Sequence, residues 1–330
     1  MITQSSHSPE VRSRDESVSQ AVIFDEPRKL SLRKLPLPQP GSGEVLVDIH
    51  WSGISTGTER LLWTGDMPPF PGLGYPLVPG YESVGTVRRT GPDCTLAEGD
   101  TVFVPGAQCY GEVRGLFGGT ASRLVVPESR IRRIDEGLGR NGALLALAAT
   151  AYHALKPTPE APLPDLIIGH GVLGRLLARL TIALGGEPPV VWETVADRRG
   201  DADGYPVTEP STEGSFRTIV DASGDARIVD LLMPVLQRQG EIVLAGFYSD
   251  PVSFDFPPAF MKEARLRVAA EWQPHDFDAT CAIAGKRPEV LDGLITHCLP
   301  VSRAEEGYRT AFTDPQCLKM ILDWTGAATH

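Results

Sequence analysis

The amino-acid sequence predicts an α/β protein of two domains, in which a β-rich, barrel-like domain precedes a doubly wound parallel sheet. The chain has 330 residues, which is more than a single ordinary core holds. Residues from about 20 to 135 form short apolar runs separated by Gly and Pro, which is typical of β-strands and turns. Residues 165–245 instead alternate apolar strands with helical stretches, the pattern of a parallel sheet.

The domain boundaries follow from these patterns. We expect a disordered tail over residues 1–19, because this stretch is rich in Ser and charge and has no apolar core. The β-rich domain is predicted over residues 20–140, and the sheet domain over residues 141–280. Two short helices and a closing strand are predicted near the end of the chain, so residues 281–330 are expected to complete the first domain.

Composition argues against several classes of protein. The net charge is −11 without a basic stripe, so we expect no nucleic-acid partner. No run approaches the roughly 18 apolar residues that a membrane span needs, and we expect none. Five cysteines form no CxxC pair and cannot all be paired with one another, which favours a reducing cytoplasm.

A glycine turn marks the predicted dinucleotide site. It reads Gly169, His170, Gly171, Val172, Leu173 and Gly174. The turn follows an apolar strand and opens a helix, so Gly169 can make the bend, Gly171 can let a pyrophosphate approach, and Gly174 can let the helix pack closely. His170 could contact phosphate or face water. The small residues that end two later predicted strands are expected to line the same site: Ala222, Ser223 and Gly246.

The cofactor preference is predicted from Glu193, which ends the strand after the glycine turn. A carboxylate at this place would accept the ribose hydroxyls of NAD and repel a 2′-phosphate. Alternatively, Glu193 is a solvated strand end. Arg198 and Arg199 could accommodate a 2′-phosphate, but they lie five and six residues further on and are more typical of surface charge. The sequence therefore predicts NAD.

Three further motifs resemble those of the medium-chain dehydrogenase/reductase superfamily. They are Gly80-Tyr81-Glu82-Ser83-Val84-Gly85, Gly99-Asp100-Thr101-Val102 and Thr150-Ala151-Tyr152-His153-Ala154-Leu155. The resemblance covers nearly the whole chain from residue 20. It implies a GroES-like catalytic domain and a Rossmann domain, an active cleft between them, and hydride transfer to a nicotinamide cofactor.

The sequence departs from the zinc-dependent members of that superfamily. Those members hold the metal with a Cys in the first loop, the His of a GHE motif and a later Cys or Asp, whereas this chain has Ser55, Tyr81 and Ala146. The region that resembles their four-cysteine structural lobe contains only Cys109. Hydroxyl groups and an Ala do not supply the nitrogen and sulfur ligands that Zn²⁺ prefers. We therefore expect no metal.

Within the superfamily, the chain resembles the branch that acts in bacteriochlorophyll biosynthesis. The resemblance lies in the run SGISTGTERLLWTGDMPPFPGLGYPLVPGYESVG and in GHGVLGRLLA and VDASGD. It implies a tetrapyrrole substrate, a bacteriochlorophyllide whose 3-(1-hydroxyethyl) group is oxidised to 3-acetyl. A zinc-free quinone or enoyl reductase that uses NADPH is the alternative, against which Glu193 argues. A non-catalytic binding protein is disfavoured because the nucleotide motifs remain.

Without a metal, side chains must polarise the alcohol oxygen and accept its proton. Tyr81 replaces a metal ligand, and its phenol could bind that oxygen, with Ser55, Thr56 or Thr58 as relay hydroxyls. The alternative is that Tyr81 fills the space of the metal and that the loop hydroxyls satisfy the backbone.

Other residues near these motifs have two interpretations each. Glu82 is expected to serve structure, and its carboxylate could anchor an Arg. Glu59 could cap a helix or act near the substrate, and His153 could be a core histidine or a general base. Trp63, Met67 and Phe70 belong to an apolar loop that could stack on a flat macrocycle or form an ordinary lid. A homodimer is left open.

Overall fold

The amino-terminal part of the chain consists of short β-strands. The computed structural model describes residues 16–69, 71–155, 162–200 and 204–326. The strands of this part are β1 Val18–Glu26, β2 Lys29–Pro36, β3 Glu44–Ile54, β4 Leu77–Val78, β5 Ser83–Thr90, β6 Thr101–Val104, β7 Arg114–Gly115, β8 Arg123–Pro127 and β9 Arg132–Arg133. Helix α1, Thr58–Thr64, follows β3, and 3₁₀ helices span Glu128–Arg130 and Glu136–Leu144.

Strand β1 begins two residues before the predicted start of the first domain at residue 20. Val18 starts the strand, and Ser19 is buried against the strand segment around Arg123. Apolar residues then continue from Ala21 to Phe24, all without exposed surface. Most of the predicted tail, residues 1–15, lies outside the described residues. The boundary at residue 20 is therefore two residues too late, because the polar start of β1 carries no apolar signal.

The second part of the chain contains the predicted parallel sheet. Its elements are α2 Leu145–Leu155, β10 Leu166–Ile168, α3 Val172–Ala183, β11 Val190–Trp192, β12 Val207–Thr208, β13 Phe216–Asp221, α4 Ile228–Leu232, β14 Leu236–Leu244, α5 Phe256–Lys262, β15 Arg265–Val268 and α6 Pro274–Lys286. Among the described residues the strand order is β12-β11-β10-β13-β14-β15, and neighbouring strands run parallel. The predicted α/β class is confirmed.

The order of the strands reverses beside β10, and the glycine turn follows this strand. Ligands of doubly wound sheets bind outside the carboxyl ends of the strands at such a point. The helical stretch between β13 and β14 is limited to the five-residue helix α4, because Pro234 cannot continue a helix and β14 begins at Leu236.

The carboxyl-terminal segment returns to the first sheet. Strand β16, His297–Pro300, precedes helix α7, Ala304–Thr313, and strand β17, Met320–Asp323. Strand β17 pairs antiparallel with β3, and β16 pairs parallel with β17. Short 3₁₀ helices over Pro288–Val290 and Val301–Arg303 complete the segment. The last strand therefore lies beside the strand that leads into the loop of Ser55.

Two glycines of the turn allow helix α3 to pack against strand β10. Gly169 has a φ of +93°, in the region that favours glycine. A Cβ on Gly174 would overlap the carbonyl oxygen of Gly169, whereas a Cβ on Gly171 would meet no atom within 4 Å. Gly174 is thus required by packing inside the protein. Gly171 borders open space on the side where a ligand can approach.

We predict that Gly174→Ala lowers the free energy of unfolding by about 3 kcal/mol, because its methyl group would displace the turn. Gly171→Ala is the matched control. It should unfold with nearly the wild-type free energy, since its φ of −74° suits alanine and its surroundings are open. Urea unfolding measures both changes. A Gly174→Ala variant as stable as the wild type would contradict the close contact.

Candidate active site

A cluster of hydroxyl groups surrounds Tyr81, between strands β4 and β5. The Tyr81 hydroxyl donates to Ser55 Oγ over 2.6 Å, and the Thr58 side chain lies close enough to the phenol to lower its pKa. The ring packs edge-on against Phe117, with 5.1 Å between centroids. Burial raises the pKa of the Tyr81 phenol above its usual value, and repulsion from Glu82 raises it further. The three predicted hydroxyl residues thus lie together, and Tyr81 keeps its proton at neutral pH.

Glu59 lies directly behind this cluster, on the first turn of helix α1. Its side chain is fully buried. Oε1 accepts the backbone N–H of Ser55 over 3.0 Å, and Oε2 accepts the hydroxyl of Tyr308 over 2.8 Å. Burial raises the pKa of Glu59 to about 7, although the hydrogen bond from Ser55 opposes the rise. A carboxyl group that titrates near neutrality therefore lies next to the loop that holds Ser55.

A buried ion pair lies under the same loop. The ammonium of Lys319, at the start of β17, contacts the carboxylate of Glu82, and neither residue has more than 1% of its surface exposed. A Cβ on Gly53 would overlap Glu82 Oε2, so the pair requires glycine at that point of β3. The structural role expected for Glu82 agrees with this contact, but its partner is a lysine and not an arginine.

Tyr308 and Lys319 are the two residues that the sequence analysis missed. Lys319 precedes the apolar run Met320–Leu322, where a charged side chain is expected only with a partner. That signal was available in the sequence, but nothing in it pointed to Glu82. Tyr308 belongs to an amphipathic helix, in which a buried Tyr is ordinary. Only the return of the carboxyl-terminal segment brings both residues to the loop after β3.

The predicted apolar loop lies mostly in the core. Trp63 stacks on Tyr308 with 6.4 Å between ring centroids and meets Phe24 edge-on at 5.3 Å, which leaves it half-buried. Met67 is buried in the same cluster, so its side chain has no free face for a macrocycle. The prediction for Met67 is corrected on that ground. Phe70 lies outside the described residues.

His153 lies at the interface of helices α2 and α6. Its Nδ1 is 2.7 Å from the carboxylate of Asp276, which is buried and also accepts the backbone N–H of Gln273. This is the satisfied core histidine that the sequence left as an alternative. The assignment of His153 as a general base is therefore withdrawn, because its ring nitrogen is held by a structural carboxylate.

The predicted cofactor residues line the edge of the parallel sheet. Gly171 begins helix α3 and supplies no side-chain cap, so its N-terminal N–H groups are available to an anion. A Cβ on Gly169 would lie 3.6 Å from Ala222 and Ser223, which follow β13. Gly246 packs against the turn at Gly224. Val172 is buried, and Leu173 packs against the core. The geometry suits a dinucleotide with its pyrophosphate at the turn.

Glu193 is held by backbone groups on both sides. One carboxylate oxygen accepts the N–H of His170 and the other accepts that of Val195, each over 2.8 Å. Both arginines that could serve a 2′-phosphate have other partners. Arg198 donates to the carbonyl of Pro315 over 3.0 Å, and Arg199 pairs with Glu209.

The side chain of His170 is enclosed by the protein, which corrects the expectation that it faces water. The residue is fully buried, and its ring nitrogens bond to the carbonyl of Arg198 and to the hydroxyl of Tyr205. Only its backbone belongs to the phosphate turn. The ring fills the space beneath the segment that follows Glu193, which the sequence did not indicate.

The three positions at which the sequence lacks the expected zinc ligands carry Ser55, Tyr81 and Ala146. Ser55 and Tyr81 bond to each other, and Ala146 is buried on α2. Across residues 16–69, 71–155, 162–200 and 204–326, no group of three or more His, Cys, Asp or Glu side chains could hold a metal ion. In the same residues, no helix has the length and apolar character needed to cross a membrane.

Among the curated relatives of this chain, two are more than half identical to it over nearly its whole length. The 2-desacetyl-2-hydroxyethyl bacteriochlorophyllide a dehydrogenase of Cereibacter sphaeroides is 58% identical, covering 93% of this chain and 99% of the relative. The enzyme of the same name from Rhodobacter capsulatus is 57% identical, with 94% and 99% covered. The chain belongs to the bacteriochlorophyllide a dehydrogenase family. This family lies within the medium-chain dehydrogenase/reductase superfamily, so the predicted resemblance is confirmed.

Two further comparisons agree with this family. Residues 41–136 match the alcohol dehydrogenase GroES-like domain, which confirms the predicted type of the first domain. A protein described as a zinc-binding dehydrogenase of Sinorhizobium meliloti, bound to NADP, has a TM-score of 0.77 at 19% identity, covering 93% of this chain and 99% of its own. An Escherichia coli alcohol dehydrogenase complexed with NADH has a TM-score of 0.78 at 21% identity, with the same coverage. The fold is that of nicotinamide-dependent dehydrogenases.

We predict that Glu59 makes stability depend on pH. Burial raises its folded pKa from 4.5 to about 7, so its contribution to stability is fully present below pH 4.5 and is lost as the pH rises through 7. Between about pH 5.5 and 8.5 this loss is on the order of 2 kcal/mol. Glu59→Gln resembles the neutral carboxyl and should remove that part of the pH dependence in urea unfolding.

The matched control is Glu305→Gln, which changes an exposed glutamate on α7. It should leave the pH dependence of the wild type unchanged. If the curves for Glu59→Gln and the wild type run parallel from about pH 5.5 to 8.5, the raised pKa of Glu59 is refuted.

Proposed function

We propose that the protein oxidises the 3-(1-hydroxyethyl) group of a bacteriochlorophyllide to 3-acetyl, with NAD⁺ as the hydride acceptor, in bacteriochlorophyll biosynthesis. The observation that carries the proposal is the 58% identity, over nearly the full length of both chains, to a relative named for this dehydrogenation. The hydroxyl cluster at Tyr81 supports it, because the site must handle the proton of an alcohol.

The proton path that we propose begins at Tyr81. The phenol stays protonated, so it can accept the proton of the alcohol only as it passes its own proton to Ser55, whose oxygen is 2.6 Å away. Ser55 must release its own hydroxyl proton in the same step. Glu59, which titrates near pH 7, is the proposed final acceptor when it is ionised. Its carboxylate bonds to the backbone N–H of Ser55 and not to the hydroxyl, so this last transfer requires a bridging water or a rotation of the Ser55 side chain.

We further propose that no zinc takes part and that NAD is preferred over NADP. The chain offers hydroxyl groups and an Ala at the metal positions, which are poor ligands for Zn²⁺. Glu193 supports the preference for NAD because its carboxylate would repel a 2′-phosphate. Arg198 and Arg199 have other partners and do not offset that repulsion.

For the tetrapyrrole, Trp63 remains the proposed stacking residue. Of the predicted stacking residues that the structure describes, Trp63 is half-buried and keeps surface, whereas Met67 does not. An aromatic face of this kind contributes by removing apolar area from water, at roughly 25 cal/mol per Å². Its effect should therefore appear in substrate binding more than in the chemical step.

The test is turnover of hydroxyethyl bacteriochlorophyllide by the purified protein with NAD⁺ or NADP⁺, followed by pigment absorption. We expect turnover with NAD⁺, weaker use of NADP⁺, and less than about one zinc per ten chains by elemental analysis. Tyr81→Phe should lower kcat about 100-fold, since general acid–base groups contribute about 10²–10⁴-fold. Trp63→Leu should chiefly raise KM.

Several outcomes would contradict parts of this proposal. No turnover of the pigment together with rapid oxidation of small alcohols would refute the substrate. Equal or better use of NADP⁺ would refute the preference, and stoichiometric zinc lost together with activity would refute the metal-free site. Full kcat in Tyr81→Phe would move the proton path away from the phenol.

We also propose a cytoplasmic homodimer that associates through the free edge of the parallel sheet. Strand β15 is the outer strand there, and Val268 is 74% exposed. Apolar side chains of α5 are exposed beside it, namely Phe256, Phe260 and Met261. Unpaired strand edges and apolar patches favour association.

Sedimentation equilibrium of the wild-type protein should give a mass of two chains. Val268→Lys places a charge in the proposed interface and should lower the measured mass towards that of a single chain. A wild-type protein with the mass of a single chain would refute the dimer.

A further inference from the structure

The ring of His170 has a defined tautomer, although the glycine motif does not require a side chain at this position. Nδ1 lies 2.5 Å from the carbonyl oxygen of Arg198, and Nε2 lies 3.0 Å from the hydroxyl of Tyr205. A carbonyl oxygen only accepts, so Nδ1 carries the proton and Nε2 accepts from Tyr205. Burial lowers the pKa of His170, which keeps the ring neutral in this arrangement.

Both partners of His170 follow Glu193 in the chain: Arg198 lies in the segment 194–200, and Tyr205 lies just before β12. The Tyr205 ring meets the imidazole edge-on, with 5.7 Å between ring centroids. From the other side, Arg175 donates to the carbonyl of His170 over 3.2 Å and reaches the carbonyl of Arg198. The segment is therefore joined to the glycine turn through side chains as well as through the backbone bond from His170 to Glu193.

This arrangement also directs the guanidinium of Arg198. While the Arg198 carbonyl is bound by His170, its side chain extends to the carbonyl of Pro315 over 3.0 Å. A strand-end carboxylate is the group that reads a ribose 2′-hydroxyl, and a nearby arginine is the group that reads a 2′-phosphate. In this structure the Glu193 carboxylate is held by the glycine turn, whereas the Arg198 guanidinium is held by the carbonyl of Pro315.

We propose that His170 is a positioning residue for cofactor selectivity, which holds the segment after Glu193 so that the site accepts a dinucleotide with a free 2′-hydroxyl. The inference rests on the proposed function as an NAD-dependent dehydrogenase. The side chain of His170 acts through Glu193 and Arg198 and makes no contact with the cofactor itself. Loss of the ring releases Arg198, so affinity for the unphosphorylated dinucleotide falls while affinity for the phosphorylated one rises.

The experiment measures the dissociation constants of NADH and NADPH by fluorescence titration, together with thermal unfolding. His170→Ala should raise the Kd of NADH at least tenfold and lower that of NADPH. His170→Asn is the conservative variant, because its amide N–H takes the place of Nδ1, and it should stay within about threefold of the wild type. Tyr205→Phe should raise the Kd of NADH severalfold, since Nε2 loses its donor.

Two double variants separate selectivity from general loosening. Adding Arg198→Ala to His170→Ala should abolish the gain in NADPH affinity, because the released guanidinium of Arg198 is the group expected to bind the 2′-phosphate. Adding Arg199→Ala instead is the matched control, since Arg199 pairs with Glu209, and it should leave the gain unchanged. A merely structural role of His170 would weaken both cofactors equally and would not depend on which arginine is removed.

The outcomes distinguish this inference from the proposed function. If the wild type binds NADH but His170→Ala or Tyr205→Phe binds it equally well, His170 does not position the segment. If His170→Ala and His170→Asn raise the Kd of NADH equally, the inference is also overturned, because the effect then comes from the lost volume of the ring and not from its hydrogen bond. If the wild type binds neither dinucleotide, the dehydrogenase proposal fails, and the inference fails with it.

Discussion

The buried ion pair between Glu82 and Lys319 is the contact on which the first sheet and the candidate site depend. It joins the start of β5 to the start of β17 beneath β3. Removing one partner of such a pair leaves an uncompensated buried charge, which costs about 3–5 kcal/mol. The pair therefore holds the carboxyl-terminal segment against the first sheet. It also fixes the backbone next to Tyr81, whose phenol points to Ser55.

The surroundings of that pair determine the chemistry that the site can perform. Burial keeps the Tyr81 phenol protonated and brings the pKa of Glu59 to about 7, so the two groups differ in their readiness to take up a proton. Such a difference between neighbouring titratable groups is what acid–base catalysis uses. Tyr308 closes the site from behind by binding Glu59, so the carboxyl-terminal helix contributes to the electrostatics of a loop almost 250 residues earlier.

The predicted cofactor site depends instead on close contacts between backbones, which restrict the conformation of the glycine turn. Helix α3 can approach β10 only because Gly174 has no side chain, and the N-terminus of the helix is left open at Gly171. Glu193 is bound by the N–H groups of His170 and Val195, so the carboxylate is ordered before a ligand arrives. Preorganisation of this kind lowers the cost of binding.

The sequence by itself determined the α/β class, the glycine turn and the strand-end carboxylate, because each depends on local patterns of period and turn chemistry. The resemblance to the superfamily pointed to the hydroxyl residues around Tyr81. Only the tertiary structure decided that Glu82 binds Lys319, that Tyr308 binds Glu59, that Met67 lies in the core and that His153 and His170 are enclosed. Those partners lie far apart along the chain, and no local pattern records which distant residue a buried polar group meets. The requirement that such a group be paired predicts that a partner exists, whereas the fold selects which residue it is.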